Sequence, residues 1–306
     1  MLEIEELSVT FRSHTGAVPV LDRVSLAMER GESLALMGET GCGKSVLCHA
    51  VMRLLEGVAE VSGQVRFQGR DVYSLPWKEV RKMRGKGISL VPQSPSAAFN
   101  PVMRVGDQIR EYVEKRGSDH QQTREISLAA LRSVGLDAEA VYRSYPHMLS
   151  GGMAERALIA MAISVDPELV IADEPTKGLD LPSRRGILEL LGEVSKERST
   201  MIITHDFQAA RSCQRTAVMY SGQIVEEGPT EEVIVEPKHP YTAGLLRAQP
   251  SNGMEPIPGR HREADRELAG CRFRSRCPHR GEECSRPVPV IEYGERRVRC
   301  FHAGDD

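Results

Sequence analysis

Apolar and polar positions alternate over residues 2–11 and 20–28. That period of two predicts strands with one buried face. Residues 32–37 form a short apolar run that ends in a cluster of glycines, and residues 45–55 then carry apolar positions at helical spacing. The local order is strand, glycine loop, helix. Short β-like runs follow at 64–68 and 87–91, with a helical piece at 75–83 between them. Across the middle third, residues 105–115, 122–134 and 153–165 repeat apolar residues every three or four positions, as helices with one buried face do. β-like runs return at 169–172, 201–204, 217–220 and 223–227, and a helix is predicted at 181–198. Strands alternating with helices predict an α/β fold with a mainly parallel sheet.

Composition narrows the class. The 306 residues are 40% apolar and 27% charged, enough to build a sizeable core and unlike a disordered or coiled-coil chain. The net charge of −3 offers no general attraction for nucleic acid or an acidic membrane. No apolar run approaches the roughly 18 residues of a membrane span. The acidic start MLEIEEL lacks the basic region of a signal peptide, so a cytoplasmic location is expected. Composition then shifts: residues 236–260 are rich in Pro and Gly, and the chain beyond is rich in Arg and Cys. Two domains are expected, 1–235 and 236–306. The seven cysteines are odd in number and unsuited to a disulfide frame in a reducing compartment; four of them, Cys271, Cys277, Cys284 and Cys300, crowd the last 36 positions.

Residues 38–45 read GETGCGKS. Backbone N–H groups of such a loop point inward and cradle phosphate oxygens, and the following helix adds the positive end of its dipole. Gly38, Glu39, Thr40, Gly41, Cys42 and Gly43 would line the cradle, with Val46 just behind; Lys44 would reach the β- and γ-phosphates and Ser45 would ligate Mg²⁺. The Cys42 side chain is expected to point outward, and Cys42 and Cys48 to be incidental. The alternative, a chance glycine turn, lacks the strand before and the helix after. Residues 169–174 read LVIADE, a buried strand that delivers two carboxylates at its C-terminal end, where ligands sit in open α/β sheets. Asp173 would hold Mg²⁺ and Glu174 would polarise the attacking water; the alternative is a strand end with solvated acids.

Further tokens complete a pattern. Residues 149–153 read LSGGM, Gln93 follows the apolar run ending at Val91, residues 176–180 read TKGLD, and His205 follows the run 201–203. With the two motifs above, these residues resemble the nucleotide-binding subunits of ABC transporters over residues 1–235. The resemblance implies a P-loop NTPase domain with a parallel core sheet, an antiparallel β subdomain and a helical subdomain. It implies that Phe11 stacks on adenine, that Gln93 senses Mg²⁺, and that His205 contacts the γ-phosphate. Leu149, Ser150, Gly151, Gly152 and Met153 would cap the ATP of a second subunit, and Asp180 would communicate across the pair. Glu155 stands where the family usually has Gln, and Lys177–Gly178 where small residues are usual. Physically, Ser150 and the amides of Gly151 and Gly152 at a helix start form an anion site; the bland alternative is a glycine-rich helix cap.

The runs QSPSAAFNP (93–101) and HPYTAGLL (239–246) are similar to the oligopeptide, dipeptide and nickel importer branch. So is the cysteine-rich tail, spaced C-x5-C-x6-C-x15-C. About 70 residues with few aliphatics bury little core, and a bound metal or cluster supplies stability in such cases. Four thiolates suit a [4Fe–4S] cluster or Zn²⁺. Zinc sites usually pair cysteines two to four apart, and the gaps of five or more here favour the cluster. Eight arginines against four glutamates between residues 272 and 299 favour thiolates.

The resemblance thus implies an ATPase of a multi-subunit importer on the cytoplasmic face of the membrane. Its partners would be a second, related ATPase, two transmembrane permeases and an extracytoplasmic binding protein, with no nucleic acid. Di- or oligopeptides are the first expected cargo and nickel or a nickel chelate the second. The competing class is a soluble ABC ATPase in DNA repair, translation or cluster assembly; a further reading makes the tail a redox switch on the ATPase.

Overall fold

A computed structural model describes residues 1–13, 16–115, 120–260, 265–266 and 268–303. In chain order the strands are β1 (Leu2–Ser13), β2 (Gly16–Met28), β3 (Ser33–Met37), β4 (Ala59–Phe67), β5 (Arg70–Asp71), β6 (Ile88–Val91), β7 (Leu169–Asp173), β8 (Ser199–Thr204), β9 (Arg215–Tyr220), β10 (Gln223–Pro229), β11 (Ile291–Tyr293) and β12 (Arg296–Val298). The chain divides into two compact units, one of Met1–Leu75 with Ile203–Asp306, the other Pro76–Ile202. This division does not follow the composition change at 235: the cysteine-rich tail belongs to the same compact unit as the N-terminal strands.

The first unit holds an antiparallel sheet in the order β2-β1-β4-β5. Leu2, Ile4, Leu7 and Val9 of β1 are buried, and the alternation changes phase between Ile4 and Leu7. Glu6 lies there in the left-handed region with φ 48°, so an irregularity in pairing returns the next apolar pair to the core. The same unit carries β11-β12-β10-β9-β3 in spatial order, with β3 parallel to β9 and the outer pairs antiparallel. All five residues of β3 are buried, as expected of a strand covered on both faces.

The second unit pairs β6 and β7 in parallel. β7 is buried throughout, which explains its unbroken apolar run. Its helices include Val105–Glu114, His120–Ser133, Ala138–Arg143, Gly151–Ile163 and Leu181–Glu197. Helix Val105–Glu114 buries Val105, Ile109 and Val113, and helix Leu181–Glu197 buries Ile187, Leu190, Leu191 and Val194, both at helical spacing. Among the described residues no helix is long and apolar enough to cross a membrane.

Candidate functional site

In the first unit, β3 runs straight into the loop 38–43, and helix Lys44–Val51 starts on Gly43. Gly38, Gly41 and Gly43 have φ of 147°, 84° and 113°, values that other residues rarely adopt. A side chain on Gly38 would collide with the Met219 carbonyl, and one on Gly43 would come within 2.7 Å of Leu21 Cδ2. Lys44 is buried, and its ammonium donates to the carbonyls of Gly38 at 2.7 Å and Glu39 at 3.1 Å, so its side chain folds back over the loop. Cys42 is also buried, contrary to the outward orientation expected: its Sγ packs under Gly38 and lies 3.9 Å from Lys44 Nζ. Burial pushes its thiol up, partly offset by Lys44. Phe11, half-buried on β1, pairs with Val18 and Ala59. His205 is exposed just after β8, ahead of Asp206, whose carboxylate caps helix Phe207–Ala210.

In the second unit, Asp173 ends β7 and Glu174 follows, both buried. Glu174 has φ 51°, a left-handed backbone that turns the chain sharply at the carboxylate and is costly for a non-glycine residue. Gln93 lies exposed on the bend after β6. Ser150 is the N-cap of helix Gly151–Ile163, its Oγ accepting from Met153 N at 3.3 Å, and Ser150, Gly151 and Met153 are all exposed. Gly151 and Gly152 are therefore the first helical residues rather than a loop before the helix, and the cap reading and the anion-site reading describe the same residues. Leu149 sits half-buried just before them. A Cβ on Gly152 would lie 2.8 Å from Ser183 Oγ, so this glycine lets the helix approach residues beside Asp180. Asp180 is itself an N-cap: it accepts from Ser183 N at 2.7 Å, and these bonds hold its carboxyl below the usual range. Glu155 is 3% exposed, burial pushes its carboxyl up to about 8, and its Oε1 has no hydrogen-bond partner among the described residues.

Burial pushes the Cys271 thiol up to about 12, and Cys284, Cys300 and Cys277 lie close enough each to raise it further. In the fold as it stands the arginines nearby therefore do not make it a thiolate; all four tail thiols are free. Cys271 N donates to Cys284 O at 2.8 Å, drawing two of them together. Three of the sulfurs accept a backbone N–H from the residue two positions on: Cys271 from Phe273, Cys277 from His279, Cys300 from His302. Glu283, Cys284 and His302 also form a group with metal-ligating spacing. The tail is not a free-standing core-poor segment. β12 pairs with β10, Arg296 meets Glu226 in a buried ion pair at 2.5 Å, and Phe273 packs against Tyr220, Tyr241 and His239.

The HPY run, residues 239–241, forms a second joint whose mechanism lies in its burial. His239 is fully buried, and burial pushes its ring down to about 3. Its neutral Nδ1 accepts from Tyr241 N at 3.0 Å and caps helix Pro240–Arg247. Its own backbone N–H donates to Glu226 at 3.0 Å.

The family model "ABC transporter" matches residues 21–177, and "Oligopeptide/dipeptide transporter, C-terminal region" matches 225–284. The oligopeptide transport ATP-binding protein OppD of Salmonella typhimurium is 38% identical over 98% of this chain and 93% of its own length. The dipeptide transport ATP-binding protein DppD of Haemophilus influenzae is 38% identical over 98% of this chain and 94% of its own. Among solved structures, the dimeric post-hydrolysis ATP-binding cassette MJ0796 with ADP and Pi superposes with a TM-score of 0.67 at 25% identity, covering 75% of this chain and 99% of that one.

Proposed function

The chain belongs to the ABC transporter ATPases, in their oligopeptide/dipeptide branch, and from that premise we infer that it drives import of di- or oligopeptides by ATP hydrolysis. The observation that carries the reading is the glycine loop at the end of β3, with three left-handed glycines and a buried lysine laid over it. Loop amides and Lys44 hold the phosphates, and Phe11 stacks on the base. Ser45, Gln93 and Asp173 would hold Mg²⁺, whose chemistry is to offset phosphate charge. Glu174 orients and deprotonates the attacking water, and its strained backbone supports that assignment. His205 contacts the γ-phosphate. Ser150 and the amides of Gly151 and Gly152, exposed at a helix start, close the ATP of a second ATPase subunit, and the chain's own ATP is closed in the same way by that subunit. Binding then draws the pair together and hydrolysis parts it, which is the motion two permeases would read, with the chain peripheral on the cytoplasmic face. A separate extracytoplasmic binding protein would select the peptide.

Glu174→Gln, in the chain assembled with its partners, is expected to keep ATP affinity within about threefold and to lower turnover by about a hundredfold or more. Turnover at the wild-type rate removes Glu174 from the mechanism.

The tail thiols fit a metal-bound group: four sulfurs share one neighbourhood, backbone N–H donors at three of them offset part of the burial that pushes these thiols up, and a bound cation would supply the charge that ionises them. Cys271, Cys277, Cys284 and Cys300 would hold a [4Fe–4S] cluster, with Zn²⁺ as the second candidate; such a group supplies cross-linking of the extension. Protein isolated without oxygen should carry about four irons and absorb broadly near 400 nm. Stoichiometric zinc without iron would reassign the site to the alternative, and neither metal would refute it.

A further inference from the structure

The phosphate loop is held from behind by the C-terminal extension. Glu39, second residue of the loop, has each of its polar groups engaged. Its carboxylate receives both terminal nitrogens of Arg276, at 2.6 and 3.0 Å. Its backbone N–H donates to Tyr241 Oη at 2.9 Å. Its carbonyl accepts from Lys44 Nζ and, at 3.3 Å, from Cys42 N. Two residues on, the Gly41 carbonyl accepts from Arg266 at 2.6 Å. Three of these partners, Arg276, Tyr241 and Arg266, lie beyond residue 235, in the segment that carries no part of the phosphate-binding motif.

Arg276 is built to be rigid. Its side chain is 4% exposed, and its guanidinium lies 5.8 Å from the Tyr220 ring centroid and 5.9 Å from that of Phe273. A planar fork fixed on two aromatic rings and paired bidentately sets both the position and the direction of the Glu39 carboxylate. It also sets the charge. A free carboxylate in a loop that receives a polyanion repels it, and the guanidinium cancels that charge in place.

We propose that Arg276 is a positioning residue for ATP: acting through Glu39, and supported by Tyr241 and Arg266, it holds the phosphate loop in its receiving shape and neutralises the loop's one acidic side chain. The inference rests on the reading of residues 38–45 as the nucleotide site and assigns part of that site's affinity to the extension. Ordering a loop before its ligand arrives removes that entropy from the binding step.

The test is the affinity of the full-length chain for a fluorescent ADP with Mg²⁺, measured by equilibrium titration. Arg276→Gln is expected to raise Kd about tenfold, the order of one well-placed charge-assisted pair. Arg276→Lys, which keeps charge but not the fork, should fall between the two. Adding Glu39→Gln to Arg276→Gln removes the uncancelled carboxylate and should recover about threefold in affinity. A residue that merely packs the extension gives no such recovery. Tyr241→Phe keeps the ring packing, deletes only the acceptor of the Glu39 amide, and should raise Kd about threefold; it serves where Arg276 variants fail to fold. Unchanged Kd in Arg276→Gln or in Tyr241→Phe, or an Arg276→Gln loss that the second substitution leaves intact, overturns the proposal. Lys44→Ala separates the two levels: retained binding there would show that residues 38–45 are not the nucleotide site, whatever Arg276 does.

Discussion

Glu155 offers the sharpest physical test of the second unit. It sits two residues past LSGGM on helix Gly151–Ile163, 3% exposed, with Oε1 unpartnered among the described residues. Burial raises its carboxyl from the ordinary 4.5 to about 8. A carboxyl whose folded pKa lies above its unfolded value binds its proton more tightly when folded. Stability is therefore full below about pH 4.5, declines as pH rises through the window between 4.5 and 8, and levels off above it. A tenfold change in proton affinity is about 1.4 kcal/mol, so the decline has a ceiling of about 4–5 kcal/mol; relaxation and water entry bring the working expectation to about 2 kcal/mol. Gln at this position is neutral at every pH and nearly the same shape. Glu155→Gln should match the parent at pH 5 and exceed it by about 2 kcal/mol at pH 8, some 4–8 °C in the melting of the unit that carries the helix. Thermal unfolding across pH 5–8 reads this directly. A stability difference that is the same at both ends, or that favours Glu at pH 8, would refute the argument that this group is neutral in the fold.

Two other perturbations follow from the packing. Gly152→Ala places a methyl 2.8 Å from Ser183 Oγ. It should lower turnover of the assembled protein by about tenfold or more while nucleotide affinity of the isolated chain stays within about twofold, since the methyl strains the helix start that would close the second site; a variant with normal turnover argues against that role. Arg296→Ala leaves Glu226 buried without its guanidinium, although Lys238 N and His239 N still donate to it. Chemical denaturation should show a loss of about 3–5 kcal/mol in the first unit, and a loss under 1 kcal/mol would mean that water relieves the orphaned charge.

Much of the fold is legible because its strands and helices obey simple periods. β3 and β7 are read as buried because every residue is apolar or small up to the motif that follows. The phosphate loop, the LSGGM start and the Asp173–Glu174 pair are local, and local motifs survive in sequence. What is not legible depends on distant partners. Cys42 looks exposed in a glycine loop but packs under Gly38, because the loop folds back on itself. β11 and β12 are three residues each, and the arginines of Arg296–Val298 hide a strand whose charges are matched by Glu226 and Glu227 on β10. The tail reads as core-poor because its core is borrowed: Phe273 finds its aromatic neighbours on β9 and helix Pro240–Arg247. No single stretch of sequence reveals that Glu39 and Arg276, 237 positions apart, form one bidentate pair.

The pairing of β12 with β10 also settles how this sheet meets its surroundings. Without residues 291–298, the outer rim of β10 would present a row of open N–H and C=O groups, the template on which unrelated chains add themselves as extra strands. The hairpin covers the middle of that rim, at Glu226 and Glu227, and leaves β11, three residues long, as the new border there, too short to recruit a neighbour. The appendage is thus also a hem: it finishes part of a raw margin on which a stray strand would otherwise be stitched.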